Sequence, residues 1–212
     1  MAVRVGHGDW VRARKPERIS CMPSLVLPPD KPTARRVVRD ARRRRRAHAG
    51  DAGWAAYGEN LARGLARWLR ERSLRPKIVA LYDALPTEPP TSQIRDALIS
   101  LDVQLLVPIL LPDNDLSWQD PATGRDLGVA AIATADLVLT PGLAVARGSG
   151  LRLGQGGGSY DRALLRVPER TPVVTMLFDD ELVAAVPADS HDLPVSAVLN
   201  PSTGVTPVGR GI

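Results

Sequence analysis

A run of glycines between an apolar stretch and a helical one constrains this chain more than any other feature. Leu151 to Arg162 reads Leu-Arg-Leu-Gly-Gln-Gly-Gly-Gly-Ser-Tyr-Asp-Arg, with four glycines in the five positions from Gly154 to Gly158. Such a segment can adopt positive φ and bring its N–H groups close to a bulky anion. The preceding stretch, Ala135 to Gly142, is apolar and ends in Pro141-Gly142, which predicts a buried strand and a turn; Ser159 to Arg166 predicts a helix. Strand, glycine loop and helix in that order predict an α/β domain with its ligand at the carboxyl end of the strand. A merely flexible surface loop is the competing reading of any glycine cluster.

The charges around the loop favour a nucleotide over a bare anion. Arg152 and Arg162 could meet phosphate oxygens, and Asp161 could hold a Mg²⁺ that bridges them. No Lys-Ser or Lys-Thr pair follows the glycines, which excludes a Walker A loop, and the pattern Gly-x-Gly-x-x-Gly fails at Ser159.

The other elements fit one domain. Asp30 is a candidate N-cap for a helix running through Ala34, Val37, Val38 and Ala41 to about Ala49, its polar face almost entirely Arg. A second helix over about Gly53 to Ser73 carries Trp54, Tyr57, Leu61, Leu65, Trp68 and Leu69 at helical spacing, which marks them as core. Strands are predicted over Lys77–Tyr82, Val103–Leu111, Thr171–Phe178 and Val195–Leu199, a helix over Ser92–Leu101, and a hairpin or extended loop over Asp113–Gly128. The expected fold is a single α/β domain over residues 31–205, a central mostly parallel sheet with helices on both faces. Residues 1–30, with scattered Arg and no periodicity, are expected to lie outside it, with Met22 a second candidate start, and residues 206–212 are read as a tail.

Composition narrows the function classes. No stretch approaches eighteen apolar residues and no apolar leader opens the chain, so neither a membrane span nor secretion is expected; the single Cys21 fits a reducing cytoplasm. Residues 1–50 carry fourteen Lys or Arg against four Asp or Glu, whereas the remainder carries fourteen against nineteen. The basic excess therefore belongs to the N-terminal quarter, where Arg42 to Arg46 form a run of five. Like charges on one helix repel, so the run predicts a solvated face, and the lack of aromatics between Lys31 and Gly53 disfavours nucleic acid as partner.

At Pro141-Gly142 and Arg152-Leu153-Gly154-Gln155-Gly156-Gly157-Gly158-Ser159-Tyr160-Asp161 the sequence resembles the 5-formyltetrahydrofolate cyclo-ligase family, whose pattern is Pro-Gly, then Arg-Leu-Gly-x-Gly-x-Gly-Tyr-Tyr-Asp. Ser159 replaces the first of the two tyrosines. Lys31-Pro32-Thr33-Ala34-Arg35 resembles the family's Lys-x-x-Leu-Arg except at Ala34, and His191-Asp192 after Val186-Pro187 resembles its His-Asp pair. In the loop Asp83 to Thr91, Leu85, Glu88 and Thr91 match the folate-contacting segment while Pro90 takes an acidic slot.

The resemblance implies a Rossmann-like three-layer fold and ATP- and Mg²⁺-dependent conversion of 5-formyltetrahydrofolate to 5,10-methenyltetrahydrofolate by a cytoplasmic monomer. It implies ATP binding by Lys31, Arg35, Arg152, Leu153, Gly154, Gln155, Gly156, Gly157, Gly158, Ser159 and Tyr160. Leu85 and Glu88 would contact the folate, and Asp161 and Asp192 would ligate Mg²⁺. Arg152 and Tyr160 would be catalytic, the first stabilising the transferring phosphoryl group and the second positioning the formyl group or phosphate. Two rivals stand beside this reading: a non-catalytic folate- or nucleotide-binding protein, and a nucleic-acid binder using the Arg-rich helix, where His191-Asp192 and Lys31-Arg35 would be an ordinary cap and a solvated face.

Overall fold

The computed structural model of the protein describes residues 24–189 and 192–209; most of the expected N-terminal extension, and His191, lie outside the described residues. Helix α1 (Lys31–Glu71) starts where Asp30 accepts the Thr33 N–H at 2.8 Å, with Pro32 in the first turn where no donor is needed. It is two helices in effect. At Gly50 the backbone takes φ 61° and ψ −171°, a left-handed conformation that glycine tolerates, and the two expected helical segments meet there.

The sheet follows from short apolar runs bounded by breakers. Strands β1 (Ile78–Ala80), β2 (Gln104–Leu110), β3 (Leu116–Gln119), β4 (Leu137–Pro141), β7 (Val173–Met176), β9 (Ala197–Asn200) and β10 (Gly204–Pro207) pair in the order β10-β9-β7-β4-β1-β2-β3. The five inner strands are parallel, and the two edge strands β3 and β10 are antiparallel. Alternate residues of the inner strands point to opposite faces, so both faces carry core. On one face Val79, Leu105, Leu137, Leu139, Val174 and Leu199 pack against Leu61, Leu65 and Leu69 of α1 and against Ile94 and Leu98 of α2 (Ser92–Ile99). On the other, Ala80, Leu106, Val138 and Val198 pack against Ala163 and Leu164 of α3 (Ser159–Leu164), Ile132 and Trp118. This is the three-layer α/β architecture expected from the sequence. Contact between α1 and β10 is close: a Cβ added at Gly64 would lie 2.8 Å from the Gly204 Cα.

Four features depart from the sequence reading. A second sheet, β6 (Arg152–Leu153), β5 (Ala144–Ala146) and β8 (Leu182–Val183), packs on Ala34 and Val38 of α1; strands of two or three residues are too short to show a period. Residues 206 and 207 are not tail but part of β10, and Val208 is buried, because β9 offers a free edge. Leu25 and Leu27, placed in the extension, pack beside that second sheet, and the Leu25 N–H donates to the Asp180 carbonyl.

The arginine run differs most. Arg42 and Glu181 are 1% and 0% exposed, and Arg42 binds both Glu181 oxygens at 2.8 Å through Nε and Nη2 while Nη2 also donates to the Gly142 carbonyl at 2.6 Å. Burial opposes the charge on Arg42, but Glu181 outweighs it and holds the guanidinium above its ordinary range. Arg45 pairs with Asp180 and lies over the Phe178 ring, 4.3 Å from its centroid. The 100° turn per residue sends Arg42 and Arg45 inward and leaves Arg43 and Arg44 exposed.

Candidate active site

A cavity of about 580 Å³ opens beyond the carboxyl ends of β1 and β4. The glycine loop, the start of α1, the loop after β1, the β2–β3 hairpin and the segment around Asp189 and Asp192 form its walls. In an open parallel sheet this is where neighbouring crossovers diverge and leave a crevice. Of the residues expected to bind ATP, folate or Mg²⁺ by the family resemblance, all line the cavity except Leu153, whereas Arg162, also expected to meet phosphate, does not line it and instead donates to the Gly157 carbonyl at 3.0 Å. Leu153 is 1% exposed and belongs to the apolar cluster with Ala34, Val38 and Leu143. Its apolar side chain faces the core side of β6, so it supports the loop from below.

Local geometry explains the glycines. Gly156 and Gly158 take φ of 117° and 69°, and Gly158 starts α3. Among the described residues, the backbone N–H groups of Gly156, Gly157 and Gly158 make no hydrogen bond to another group, so they remain as donors. Gly142, after Pro141, matters for another reason: a Cβ there would fall 2.6 Å from Thr175 Cγ2 and 3.2 Å from Arg152 Cγ. Without a Cβ, Gly142 leaves the room in which the Thr175 and Arg152 side chains lie, and so seats Arg152 beneath the loop.

Arg152 is 5% exposed; its Nη1 donates to the Pro141 carbonyl at 3.2 Å and its Nη2 to Asp161 Oδ1 at 2.9 Å. Its Nε is buried without a partner, and the guanidinium stands 5.7 Å from the Tyr160 ring centroid. Tyr160 rests edge-on against the fully buried Trp118, and its hydroxyl is likewise buried and unpartnered. Burial raises the Tyr160 pKa far above that of a free phenol, with Arg152 only partly opposing, so Tyr160 stays protonated and acts as a donor.

The charged face of α1 reaches the same place. Lys31, Arg35, Arg39 and Arg42 follow one another at helical spacing; Arg35 and Arg39 both dock on the glycine loop, and Lys31 and Arg42 on two other segments. Lys31 Nζ bonds Asp189 at 2.6 Å and Asp192 at 2.7 Å, Arg35 Nε donates to the Gly154 carbonyl at 2.9 Å, and Arg39 holds Gln155. Burial works against the charge on Lys31, but the two aspartates prevail and raise its pKa. Lys31 and Arg35 thus reach the cavity as expected, while Asp189 joins Asp192 as an unanticipated partner. Its spacing from Lys31 is too long for any local pattern to register.

Across the cavity, Glu88 is 4% exposed, its Oε2 accepting the Leu85 N–H at 3.0 Å and its Oε1 accepting Gln155 Nε2 at 2.9 Å. Leu85 is 57% exposed, and with Pro108, Leu110 and Leu116 it gives the cavity an apolar side. The sequence reading missed those three and Tyr82, whose hydroxyl is buried without a partner and whose pKa burial raises strongly. An apolar strand end carries no signal that separates wall from core.

Oxygen-only ligands suit a hard cation such as Mg²⁺. Asp161 and Asp192 line one cavity, but each is already paired with a cationic side chain, Arg152 and Lys31, with which a metal ion would have to share the carboxylate. Among the described residues no group of three or more His, Cys, Asp or Glu could hold a metal unaided, so phosphate oxygens and water would have to complete the shell.

The family model described as the 5-formyltetrahydrofolate cyclo-ligase family matches residues 30–201. The chain belongs to this family. It is 32% identical over 169 residues to the 5-formyltetrahydrofolate cyclo-ligase of Mycolicibacterium smegmatis, covering 71% of this chain and 87% of that one. Its fold is similar to that of a 5,10-methenyltetrahydrofolate synthetase from Mycoplasma pneumoniae (TM-score 0.64, 18% identity, 77% of this chain and 96% of the other). The corresponding synthetase of Aquifex aeolicus gives a TM-score of 0.60 at 20% identity, over 84% of this chain and 95% of the other. Family membership makes the chain a ligase of folate metabolism.

Proposed function

We propose that the protein uses Mg²⁺-ATP to convert 5-formyltetrahydrofolate to 5,10-methenyltetrahydrofolate, with release of ADP and phosphate. The observation that carries this reading is the convergence on one cavity of the glycine loop, the Arg152–Asp161 and Lys31–Asp192 pairs and the Leu85–Glu88 loop, within a family match spanning the domain.

The chemistry explains the residue types. A formyl oxygen on nitrogen is a poor leaving group; attack by that oxygen on the γ-phosphorus forms an O–P bond, breaks the bond to ADP and converts the oxygen into a phosphate ester. The folate's own N10 then attacks the formyl carbon, phosphate leaves with the C–O bond, and N10 loses its proton as the ring closes. Because the substrate supplies both nucleophiles, the protein has mainly to position groups and to stabilise charge. The free N–H groups of Gly156, Gly157 and Gly158 receive phosphate oxygens, and Lys31 and Arg35 approach them from α1. Arg152 directs its unpartnered Nε at the transferring phosphoryl. Tyr160, held as a neutral phenol, donates to the formyl or phosphoryl oxygen, and Leu85, Glu88 and the apolar side take the folate. Asp161 and Asp192 would supply ligands to Mg²⁺, which when bound offsets phosphate charge.

The lone Cys21 supports a reducing cytoplasm as the compartment, and a site assembled within one copy of the chain supports a monomer. The test is to mix the protein with Mg²⁺-ATP and 5-formyltetrahydrofolate and follow methenyl product by absorbance. ATP-dependent product formation that Arg152→Ala abolishes is the expected result. Binding of both ligands without product would instead favour the non-catalytic reading.

A further inference from the structure

One side chain joins the two substrate walls of the cavity. Gln155 belongs to the glycine loop and Glu88 to the loop after β1, and the 2.9 Å bond from Gln155 Nε2 to Glu88 Oε1 spans from one to the other. Both ends are fixed. Arg39 grips Gln155 Oε1 through Nε at 3.1 Å and Nη2 at 2.8 Å, and Nη2 also binds the Gln155 carbonyl at 2.9 Å. Glu88 in turn accepts the Leu85 N–H. The amide can therefore be assigned in one orientation only, its oxygen toward a cation and its nitrogen toward a carboxylate. Arg39 is half-buried on α1 and does not line the cavity, so its three bonds serve Gln155 alone.

Resting on the function proposed above, we infer that Gln155, aimed by Arg39, is a positioning residue that couples the nucleotide loop to the folate loop, so that each substrate tightens binding of the other. A loop rich in glycine loses much backbone freedom when a ligand fixes it. If the two loops are bonded, the first ligand bears part of the ordering cost of the second, and coupling is positive and reciprocal.

The experiment is calorimetric titration of the full chain with a non-hydrolysable ATP analogue, with and without saturating 5-formyltetrahydrofolate, and the reverse titration. In the wild type each ligand should raise the affinity for the other by about five-fold or more, the lower range of allosteric coupling. Gln155→Ala and Arg39→Ala should both bring that factor close to one. The paired exchange Gln155→Glu with Glu88→Gln reverses the bond but keeps a donor facing an acceptor, and it should restore coupling that Gln155→Glu alone removes. A structural defect would lower both affinities without touching their ratio. Wild-type protein that binds both ligands with a factor of one or below, or Gln155→Ala protein that keeps the full factor, overturns the inference and leaves the proposed function standing. Absence of folate binding to the wild type overturns the proposed function itself and the coupling with it.

Discussion

The two halves of α1 are held to the molecule by opposite means. After Gly50 the helix is amphipathic, and Leu61, Leu65 and Leu69 bury an apolar stripe against the sheet. Before Gly50 it has only Ala34 and Val38 in an apolar cluster, and Lys31, Arg35, Arg39, Arg42 and Arg45 bind carboxylates and carbonyls of four distant segments. The halves meet over Phe178, the chain's one phenylalanine, which touches Trp54 and Tyr57 from one side and Arg45 from the other. Apolar packing is non-directional and suits a scaffold. Charge-assisted bonds have geometry, and the half that uses them is the half that sets the loops of the cavity.

The comparison breaks most readily at Arg42. Arg42→Ala takes the bidentate partner from the buried Glu181 and leaves it the longer Arg45 contact at 3.6 Å and the Phe178 N–H; breaking a buried pair costs up to about 3–5 kcal/mol. Denaturant unfolding should show a drop of that size. Replacing both members, Arg42→Met with Glu181→Leu, should cost less than Arg42→Ala alone, because no buried charge is left over. If Arg42→Ala is nearly neutral, the first half is not anchored as described.

On the other side of the kink, Leu65→Ala should cost about 2–5 kcal/mol through lost burial and the cavity left behind. Its sharper signature is functional. Stability should fall while the ATP dependence of turnover in the folded fraction stays unchanged, because nothing on the second half's apolar stripe lines the cavity. A shift in the KM for ATP would mean that the sheet-packed half also tunes the site.

These halves also differ in what their residues disclose. The second was legible because Leu61, Leu65 and Leu69 recur at the helical period, and a period is a local property. So were the inner strands, as short apolar runs between breakers, and the glycine loop, whose composition announces its backbone. The first half was legible as a helix, from its Asp30 cap, Pro32 and the spacing of Ala34 and Val38, but the partners of its inward arginines were not. Arg42 reads like Arg43 until Glu181 is brought beside it, and those residues are 139 positions apart. The same holds for Lys31 with Asp189, and for Gln155 with Glu88, where a pairing across the fold leaves no mark on either segment.

Smaller effects should come from the cations at the cavity. Lys31→Ala and Arg35→Ala should each weaken ATP by about 1.5–3 kcal/mol, the usual value of a hydrogen bond to a charged group. The folate KM should move much less, and steady-state kinetics with each substrate varied in turn checks both. Lys31→Ala also frees Asp192 and Asp189 from their shared ammonium, so it should alter the Mg²⁺ dependence of turnover, whereas Arg35→Ala, whose structural bond is to the Gly154 carbonyl, should not. Equal Mg²⁺ profiles for the two variants would separate Asp192 from the metal.

The smallest expected effects test whether the arginine run acts as five residues or as two. Arg43 is largely exposed and pairs only with Asp40, one turn away on the same helix, while Arg44 is exposed outright. An exposed ion pair between long side chains gains little in water, because solvent screens it and ordering the side chains opposes it. Arg43→Ala and Arg44→Ala should therefore each change unfolding free energy by less than about 0.5 kcal/mol, and alanine's better helix propensity pulls in the favourable direction. Turnover should be unaffected in both. The same two variants address the polyanion reading, since they remove the charges that still face solvent while Arg42 and Arg45 remain engaged with Glu181 and Asp180. If duplex DNA binds the wild type with a steep salt dependence and that slope falls when both exposed arginines are removed, the outer side of the run has a nucleic-acid role of its own. If no binding is found, or its slope is unchanged, the run serves the fold through its inward members, and its outer members are ordinary solvated charge.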